Sequence, residues 1–331
     1  MNSAAVRFYK KYIQLFAGAG VCGICCAYCL PHTALIERYK SFSQLYPNGF
    51  EAKLDDHTKD LVQQVHDKIL LKPEREALMK VYVCYGQDPI HAGAIGFKSG
   101  SLLGLPLNFA YTSVDQIDRK NIRLGRERTA VKWDTSAGGR FAESLIFSDD
   151  AKRFAIAREI RYLESLYVYA NTFFLSLFGI TTYWCGHALN QLLALPQRSS
   201  LALRLCMYGT ILAVGYGVFV SMKDAVSVRR DRRVDRRAAE LGEGYARGGV
   251  EYYEKLLMRN AALRELLGAD GEKSYTPYGN TTQSWRLPAM TITSRLDHLR
   301  EIVRNIEQKK NESLEMAGVD QTETATDFKR T

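Results

Sequence analysis

The stretch A-I-A-R-E-I-R-Y-L-E-S, from Ala155 to Ser165, runs directly into the uncharged segment Leu166–Leu195. Within it, Glu159 occupies the position that glutamate holds in the zinc-binding motif H-E-x-x-H. The two positions that the motif requires to be histidine are Arg158 and Tyr162. Two imidazoles at i and i+4 bind the metal in that motif, whereas a guanidinium has no free lone pair and a phenol stays protonated near neutral pH. The stretch therefore predicts a helix that enters a membrane hairpin and carries no zinc site.

Three apolar runs are candidates for membrane spans. They are Ile13–Leu30, Leu166–Leu195 and Leu205–Met222. The first run follows a basic N-terminus and predicts a span or an uncleaved organelle-targeting segment, with a secretory signal as the rival. The connection between the second and third runs is short, so these two must form an antiparallel hairpin. The alternative is a buried hairpin inside a large soluble protein.

A hairpin returns the chain to the side from which it came, so the segments before and after it should form one soluble part. We expect an α+β membrane protein that is mainly helical, with a small β region between Val81 and Ile146. There, T-A-V-K-W-D-T and E-S-L-I-F predict strands, and Gly138-Gly139 predicts a turn. The predicted divisions are an N-terminal span or targeting segment, a first soluble half, the hairpin, a second soluble half and a disordered tail, at 1–30, 31–165, 166–222, 223–308 and 309–331.

The positive charge of the chain is concentrated beside the hairpin. The net charge is +9, and the run R-R-D-R-R-V-D-R-R extends from Arg229 to Arg237. Arginines next to a span favour the cytosolic or matrix face and attract anionic lipid. Nucleic acid is not an expected partner, because no aromatic platform or recognised motif accompanies the charge. The candidate lipid-facing residues are Arg229, Arg230, Arg232 and Arg233.

Other residues that could bind a metal or a partner are few. The helix after the hairpin carries Asp231 and Asp235 one turn apart, and the six histidines contain no i,i+4 pair. The run C-G-I-C-C-A-Y-C, from Cys22 to Cys29, could bind copper, but buried cysteine more often packs as a small hydrophobe. We therefore predict no metal and no cofactor. A turn-rich loop is a candidate partner contact, and its residues are Asp270, Gly271, Glu272, Lys273, Tyr275 and Pro277.

Three segments resemble the transmembrane protein 177 family of animal mitochondria. They are K-R-F-A-I-A-R-E-I-R-Y-L-E-S (Lys152–Ser165), G-G-V-E-Y-Y-E-K-L-L (Gly248–Leu257) and L-L-G-A-D-G-E-K-S-Y-T-P-Y-G-N (Leu266–Asn280). The resemblance implies a multi-pass protein of the mitochondrial inner membrane without enzymatic activity. It also implies that the protein binds and stabilises newly made cytochrome c oxidase subunit II, together with the assembly and copper-delivery factors of that subunit.

The order of the elements is similar to that of membrane zinc peptidases of the prenyl-protein endopeptidase and heat-shock clan. In that architecture a short β region and an H-E-x-x-H helix precede a membrane hairpin, and an E-x-x-x-D helix and a distal arginine follow it. Thr293–Arg295 would stand for the distal segment. The resemblance implies a degenerate peptidase-like fold whose vestigial metal-site positions are Arg158, Glu159, Tyr162, Asp231 and Asp235.

These observations favour a non-catalytic assembly factor. Two alternatives stay open at this point, a membrane-embedded metallopeptidase and a structural or lipid-organising protein of the inner membrane. The peptidase alternative lacks metal ligands and hence a Lewis acid to activate water. If Glu159 has only a structural role, it is expected to form an ion pair with Arg158, Arg161 or Arg236.

Overall fold

The computed structural model describes residues 3–125, 128–194, 200–283 and 286–327. These residues are mainly helical. The helices are α1 (Ser3–Cys29), α2 (Ile36–Ser43), α3 (Asp56–Ile69), α4 (Pro73–Glu76), α5 (Ser136–Ser144), α6 (Asp149–Glu164), α7 (Tyr167–Leu192), α8 (Leu201–Ala239), α9 (Glu243–Leu266), α10 (Ala269–Ser274) and α11 (Ile292–Asp327). The strands are β1 (Met79–Cys84), β2 (Ile90–Gly93), β3 (Ser101–Pro106), β4 (Arg123–Leu124) and β5 (Thr129–Ala130).

Helices α1, α7 and α8 form an antiparallel group in which α7 contacts both of the others. The thiol of Cys25 lies 3.1 Å from Ser176 Oγ, and that of Cys29 lies 3.0 Å from Thr172 Oγ1. The residue numbers of the contacts decrease along α7 as they increase along α1, so α1 and α7 run in opposite directions. On the α8 side, the Tyr208 hydroxyl donates to Asn190 Oδ1 at 2.7 Å. The α7–α8 hairpin is therefore antiparallel, as the short connection predicts, although residues 195–199 of that connection lie outside the described residues.

Two of these helices are long and apolar enough to cross a membrane. One is α1, through its window Leu15–His32, and the other is α8. Helix α7 meets the same criterion only together with α6, to which it is joined at a bend of 47°. Polar residues in α7 lower its mean hydropathy, and three of them, Asn171, Thr172 and Ser176, bind side chains of α1. The chain thus has two candidate spans, or three if α6 and α7 together make one.

The soluble body is built around α6. Helix α9 packs along α6 and also contacts α5 and α11. Helix α3 and the C-terminal part of α8 also contact α6. The buried side of α6 includes Ala155, Ile156 and Ile160, none of which is exposed. Ser148 caps this helix by accepting a hydrogen bond from the Ala151 amide at 3.2 Å, as its residue type favours. Segments from both sides of the hairpin thereby share one hydrophobic core.

A small sheet covers α6 on the membrane-proximal side. Its strand order is β1-β3-β2, with β1 parallel and β2 antiparallel to β3. The central strand β3 is buried along its whole length, as expected for a strand that is covered on both faces. Strand β2 contacts α6 and so brings His91 to the polar face of that helix.

The second half of the predicted β region is wrong. Strands β4 and β5 have two residues each. The predicted turn Gly138-Gly139 lies inside helix α5, and of the predicted strand 143–147 the first two residues belong to α5 and the other three form no strand. Thr135 caps this helix by accepting from the Gly138 amide at 3.0 Å. A Cβ atom on Gly138 would lie 2.2 Å from the Lys132 carbonyl oxygen. The glycine is therefore required for a close backbone approach inside a helix and does not form a turn.

The structure also differs from the sequence prediction near the C-terminus. Helix α11 continues to Asp327, whereas the tail 309–331 was expected to be disordered. The residues after 308 include Lys, Glu, Gln, Met and Ala, which have high helix propensity. The first of these turns is held to the body by Lys310 Nζ, which lies 3.2 Å from a carboxylate oxygen of Glu243 on α9. Residues 328–331 lie outside the described residues.

Candidate functional site

The five positions predicted as vestigial metal-site positions lie together in the interior of the body. Arg158, Glu159 and Tyr162 come from α6, and Asp231 and Asp235 come from the part of α8 that follows the span. Residues from β2, α9 and α11 complete the group. We call it the buried polar cluster, and its members are His91, Arg158, Glu159, Tyr162, Asp231, Asp235, Tyr253 and Arg295.

Asp235 has no exposed surface and is surrounded by donors. The Tyr253 hydroxyl donates to Asp235 Oδ1 at 2.8 Å. Arg158 Nε lies 3.4 Å from the same oxygen, and Arg295 Nη1 lies 3.3 Å from Oδ2. A buried carboxylate needs such partners, because an unpaired charge in the interior costs several kcal/mol, roughly.

Asp231 is 3% exposed and joins α8 to α6 and α11. The Tyr162 hydroxyl donates a short hydrogen bond to Asp231 Oδ1. Arg295 Nη2 lies 2.5 Å from Asp231 Oδ2, and the Met290 amide donates to that oxygen at 3.1 Å. The phenol of Tyr162 thus donates to Asp231 and accepts a hydrogen bond from Arg295 Nη2 at 3.2 Å.

Glu159 is 2% exposed and has two partners. Arg158 Nη1 lies 3.0 Å from Oε1, and His91 Nδ1 lies 2.5 Å from Oε2. The His91 ring stacks on Tyr162, with the ring centroids 4.9 Å apart. The expected ion pair with Arg158 is present, whereas the alternatives Arg161 and Arg236 pair with Glu164 and Glu240.

His91 was not predicted from the sequence. Arg295 was predicted only because its segment follows the hairpin in the same order as the distal arginine of the membrane zinc peptidases. His91 lies on a four-residue strand, 68 positions before its partner Glu159. No local pattern marks such a partner. An expectation that a buried carboxylate needs a second donor would have suggested a histidine, but nothing in the sequence selects His91 among the six.

The charges of the cluster stand beside opposite charges, although burial raises the pKa of Asp235 against the effect of Arg295 and Arg158. Burial raises the pKa of Tyr253, which keeps its hydroxyl protonated as a donor to Asp235. Burial alone would lower the pKa of Arg295, but the carboxylate of Asp235 opposes this effect and the pKa of Arg295 is raised well above its usual value. Within the described ranges, no three His, Cys, Asp or Glu side chains are grouped so that they could bind a metal ion. The arrangement can therefore cross-link four helices and a strand through ion pairs.

Replacing Glu159 by alanine should lower the free energy of unfolding by about 1–3 kcal/mol, since His91 and Arg158 lose their shared acceptor. Arg158 keeps Asp235 as a partner, which limits the loss. Cellular abundance of the variant should fall while the set of co-purifying proteins stays the same. Unchanged abundance with loss of the co-purifying proteins would instead make Glu159 a direct partner contact.

The candidate partner-contact segment is more regular than the predicted loop. Its first part is the short helix α10, and a β-bridge between Tyr275 and Thr281 closes the turn that follows. The prediction of a turn-rich loop is therefore wrong for residues 270–274, which are helical. Gly271 is buried and Tyr275 is half-buried, whereas the outward-facing residues are Asp270, Glu272, Lys273, Pro277 and Tyr278.

The backbone of this segment is fixed from the inside. Arg264 Nη1 donates to the Tyr275 carbonyl oxygen at 2.9 Å, and Asn260 Nδ2 donates to the Gly279 carbonyl oxygen at 2.8 Å. Gly279 has a φ of +81°, and a Cβ atom there would lie 2.2 Å from the Leu257 carbonyl oxygen. The segment is thus an exposed surface on a rigid backbone.

The arginine run on α8 does not present one uniform face. Arg229, Arg232 and Arg233 are exposed, as expected for residues that meet lipid headgroups or solvent. Arg230 is half-buried, with its guanidinium carbon 5.6 Å from the centre of the Tyr162 ring and 5.7 Å from that of Tyr167. Arg230 thus differs in burial from the other three candidate lipid-facing arginines, because the helical repeat turns this position toward α6 and α7.

The cysteines of α1 divide between two faces. Cys25 and Cys29 bind hydroxyl groups of α7, as described above. Cys22 and Cys26 are exposed on another side of the helix. The α7-facing pair therefore serves helix packing, which is the ordinary role of cysteine in an apolar helix.

The chain resembles vertebrate proteins that are described as transmembrane protein 177. The sequence profile of the transmembrane protein 177 family matches residues 35–318. Transmembrane protein 177 of Danio rerio is 32% identical over 302 residues, which cover 90% of this chain and 96% of the relative. The protein of the same name from Rattus norvegicus is 33% identical over 263 residues, covering 79% and 83%. That of Homo sapiens is 29% identical over 307 residues, covering 92% and 96%.

No solved structure matches the chain. The family assignment therefore rests on sequence similarity that covers both soluble segments and the hairpin between them. The chain belongs to the transmembrane protein 177 family.

Proposed function

We propose that this protein is a non-catalytic assembly factor of the mitochondrial inner membrane. It binds and stabilises newly made cytochrome c oxidase subunit II, together with the assembly and copper-delivery factors of that subunit. The transmembrane hairpin and α1 hold the protein beside a membrane-embedded client, and the soluble body contacts partners on one side of the membrane.

The buried polar cluster is the observation that supports a non-catalytic role. If α6 and α8 correspond to the metal-binding helices of membrane zinc peptidases, Arg158 and Tyr162 stand at the histidine positions. They bind Asp235 and Asp231, which stand at the position of the third ligand. The side chains that would have to bind zinc and water then bind one another. On this proposal, a degenerate peptidase architecture is retained as a rigid body for protein contacts.

The exposed surface of residues 269–280 is the proposed partner contact. Its backbone is fixed by Asn260 and Arg264, so binding would cost little ordering of the chain. Exposed residues of both charges stand beside Tyr278, whose side chain is among the most exposed aromatic groups of the body. Aromatic side chains on a rigid support are frequent anchors of protein interfaces.

The proposal is tested by capturing the tagged full chain from mitochondria after pulse-labelling of newly made mitochondrial proteins. Labelled subunit II should co-purify, and its half-life should fall when the protein is depleted. The variant Asp270→Ala/Lys273→Ala/Tyr278→Ala should capture less subunit II at unchanged abundance, because these side chains are exposed. Lys59→Ala/Asp60→Ala, on the exposed side of α3, is the matched control and should capture normal amounts.

Two outcomes would overturn the proposal. One is an unaltered lifetime of subunit II after depletion. The other is chelator-sensitive cleavage of model substrates by purified protein that contains stoichiometric zinc. That result would support the metallopeptidase alternative. Equal capture by the triple variant and the control would keep the assembly role and reject residues 269–280 as the contact.

A further inference from the structure

One face of α8 carries two cationic side chains where the apolar run ends and the soluble body begins. Lys223, Ser227 and Arg230 are spaced i, i+4 and i+7, so they lie one above another on the same side of the helix. All three are half-buried. We call this set the α8 basic face. The set excludes the exposed arginines Arg229, Arg232 and Arg233, of which Arg232 lies on the opposite side of the helix.

Arg230 keeps hydrogen-bonding capacity that the protein does not use. Its Nη2 donates to Ser227 Oγ at 3.1 Å, and its guanidinium packs on the rings of Tyr162 and Tyr167. Its Nε is buried and has no hydrogen-bond acceptor, which is also true of the Nε atoms of Arg158 and Arg259, so among the described residues Arg230 differs from those arginines in lacking a carboxylate partner. In the part of the chain that the structure describes, no carboxylate lies within ion-pair distance of Arg230 or Lys223. The neighbouring Asp224 is bound to Arg286 at 2.9 Å.

Three other buried or half-buried arginines of the body do have a carboxylate partner. Arg158, Arg259 and Arg295 each contact a carboxylate at 3.4 Å or less. Taking a guanidinium partly out of water is costly unless an anion compensates it. The absence of a protein carboxylate beside Arg230 and Lys223 therefore indicates that an external anion supplies the compensation.

The depth of the α8 basic face identifies the kind of anion. The apolar run of α8 ends at Met222, and a helix rises about 1.5 Å per residue, which places Lys223 at the edge of the hydrocarbon layer and Arg230 about 12 Å beyond Met222. The headgroup layer on each side of a bilayer is roughly 5–8 Å thick. Long basic side chains reach along apolar surface toward such a layer. The two cationic groups thus bracket the level of the lipid phosphates.

Aromatic residues support the same level. Tyr167 begins α7 beside Arg230, and Tyr28 lies near the end of α1, where its hydroxyl accepts a hydrogen bond from Asn171 at 2.7 Å. Tyrosine is enriched at the boundary between hydrocarbon and headgroups. Both rings lie at the end of the helix group that faces the soluble body.

We propose that Lys223, Ser227 and Arg230 bind the phosphate of an anionic phospholipid at the membrane surface. The guanidinium and the ammonium group neutralise the phosphate, and the Ser227 hydroxyl, which accepts from Arg230, donates its own proton to a phosphate oxygen. Bidentate guanidinium contacts suit a phosphate better than a single point charge does. The lipid would then form part of the junction between the membrane helices and the buried polar cluster, because Arg230 and the cluster share Tyr162.

The test uses the full chain in nanodiscs of phosphatidylcholine, with and without phosphatidylglycerol. Native mass spectrometry should show that the protein retains phosphatidylglycerol in preference to phosphatidylcholine, and the anionic lipid should raise the thermal unfolding midpoint. Lys223→Gln should lower the apparent affinity for phosphatidylglycerol about fivefold, as expected for one basic group near a lipid surface. Arg230→Gln should lower it at least as much.

Arg232→Gln removes the same charge from an exposed position on the opposite side of the same helix and is the matched control, which should retain the lipid preference. Equal losses in Lys223→Gln and Arg232→Gln would show only general electrostatic attraction to the lipid and would overturn the proposal. So would an equal preference of the wild-type chain for the two lipids. An equal rise of the midpoint with inorganic phosphate in phosphatidylcholine discs would show a site for free anions instead. If Arg230→Gln fails to fold, Lys223→Gln decides the test, since Lys223 has no contact with the tyrosine rings.

Discussion

Replacing Arg295 by alanine should lower the free energy of unfolding by about 3–5 kcal/mol. Arg295 is 5% exposed, and its guanidinium contacts Asp231 at 2.5 Å and Asp235 at 3.3 Å. It also donates to the hydroxyl of Tyr253 at 2.9 Å. The substitution leaves two buried carboxylates without their common cation, and water cannot easily replace it. Denaturant titration of the purified chain in mild detergent measures the change.

Arg300→Ala, one turn further along α11, is the control for this experiment. Arg300 is half exposed and contacts Glu254 at 2.8 Å, and exposed ion pairs contribute roughly 1 kcal/mol or less. Arg295→Lys should recover only part of the loss, because an ammonium group cannot contact both carboxylates in the geometry of a planar guanidinium. Similar losses for Arg295→Ala and Arg300→Ala would mean that the buried polar cluster does not stabilise the fold.

The elements that the sequence predicts well are those whose signal is local. The fourfold spacing of Leu61, Val65 and Ile69 predicts α3, which the structure confirms as Asp56–Ile69. Uncharged runs predict the spans in α1 and α8, and both meet the length and composition of a membrane helix. In each case neighbouring residues along the chain decide the outcome, so no knowledge of distant contacts is needed.

The errors arise where distant parts of the chain decide the conformation. Gly138 and Gly139 are typical turn residues, yet α5 includes both because Phe141 and the rest of its buried side pack against α9. Gly248 and Gly249 also have low helix propensity, yet α9 runs through them without interruption. Intrinsic propensity is a weak prior, and tertiary packing overrides it at these positions.

In the candidate site, too, the residues marked by local spacing were predicted from the sequence, whereas their distant partners were not. The three residues on α6 and the two aspartates on α8 were selected from spacing along single helices, and the structure brings all five together. The partners that complete the site come from elsewhere in the chain. Arg295 lies 60 positions after Asp235, and His91 lies 68 positions before Glu159. Only the fold, with the hairpin returning α8 to α6, makes these contacts.

Gly248→Ala should be strongly destabilising, by about 3 kcal/mol, the upper part of the range for adding a methyl group to a packed core. Gly248 lies where α9 crosses the first turn of α6. A Cβ atom there would lie 2.3 Å from both the carbonyl carbon and the carbonyl oxygen of Asp150, and 2.7 Å from the Ala151 amide nitrogen. These are backbone atoms, so no side-chain rotation relieves the overlap, and α9 would have to move away from α6.

Gly139→Ala separates this packing effect from the general effect of adding a methyl group to a helix. Gly139 also lies in a helix, but no atom lies within 4 Å of its Cβ position, so alanine there should stabilise the protein by up to about 1 kcal/mol. Displacement of α9 would also move Tyr253 away from Asp235. Gly248→Ala should therefore weaken the buried polar cluster, and Arg295→Ala should cost less in the Gly248→Ala background than in the wild type. Additive losses in the double variant would show that the helix crossing and the cluster stabilise the fold independently.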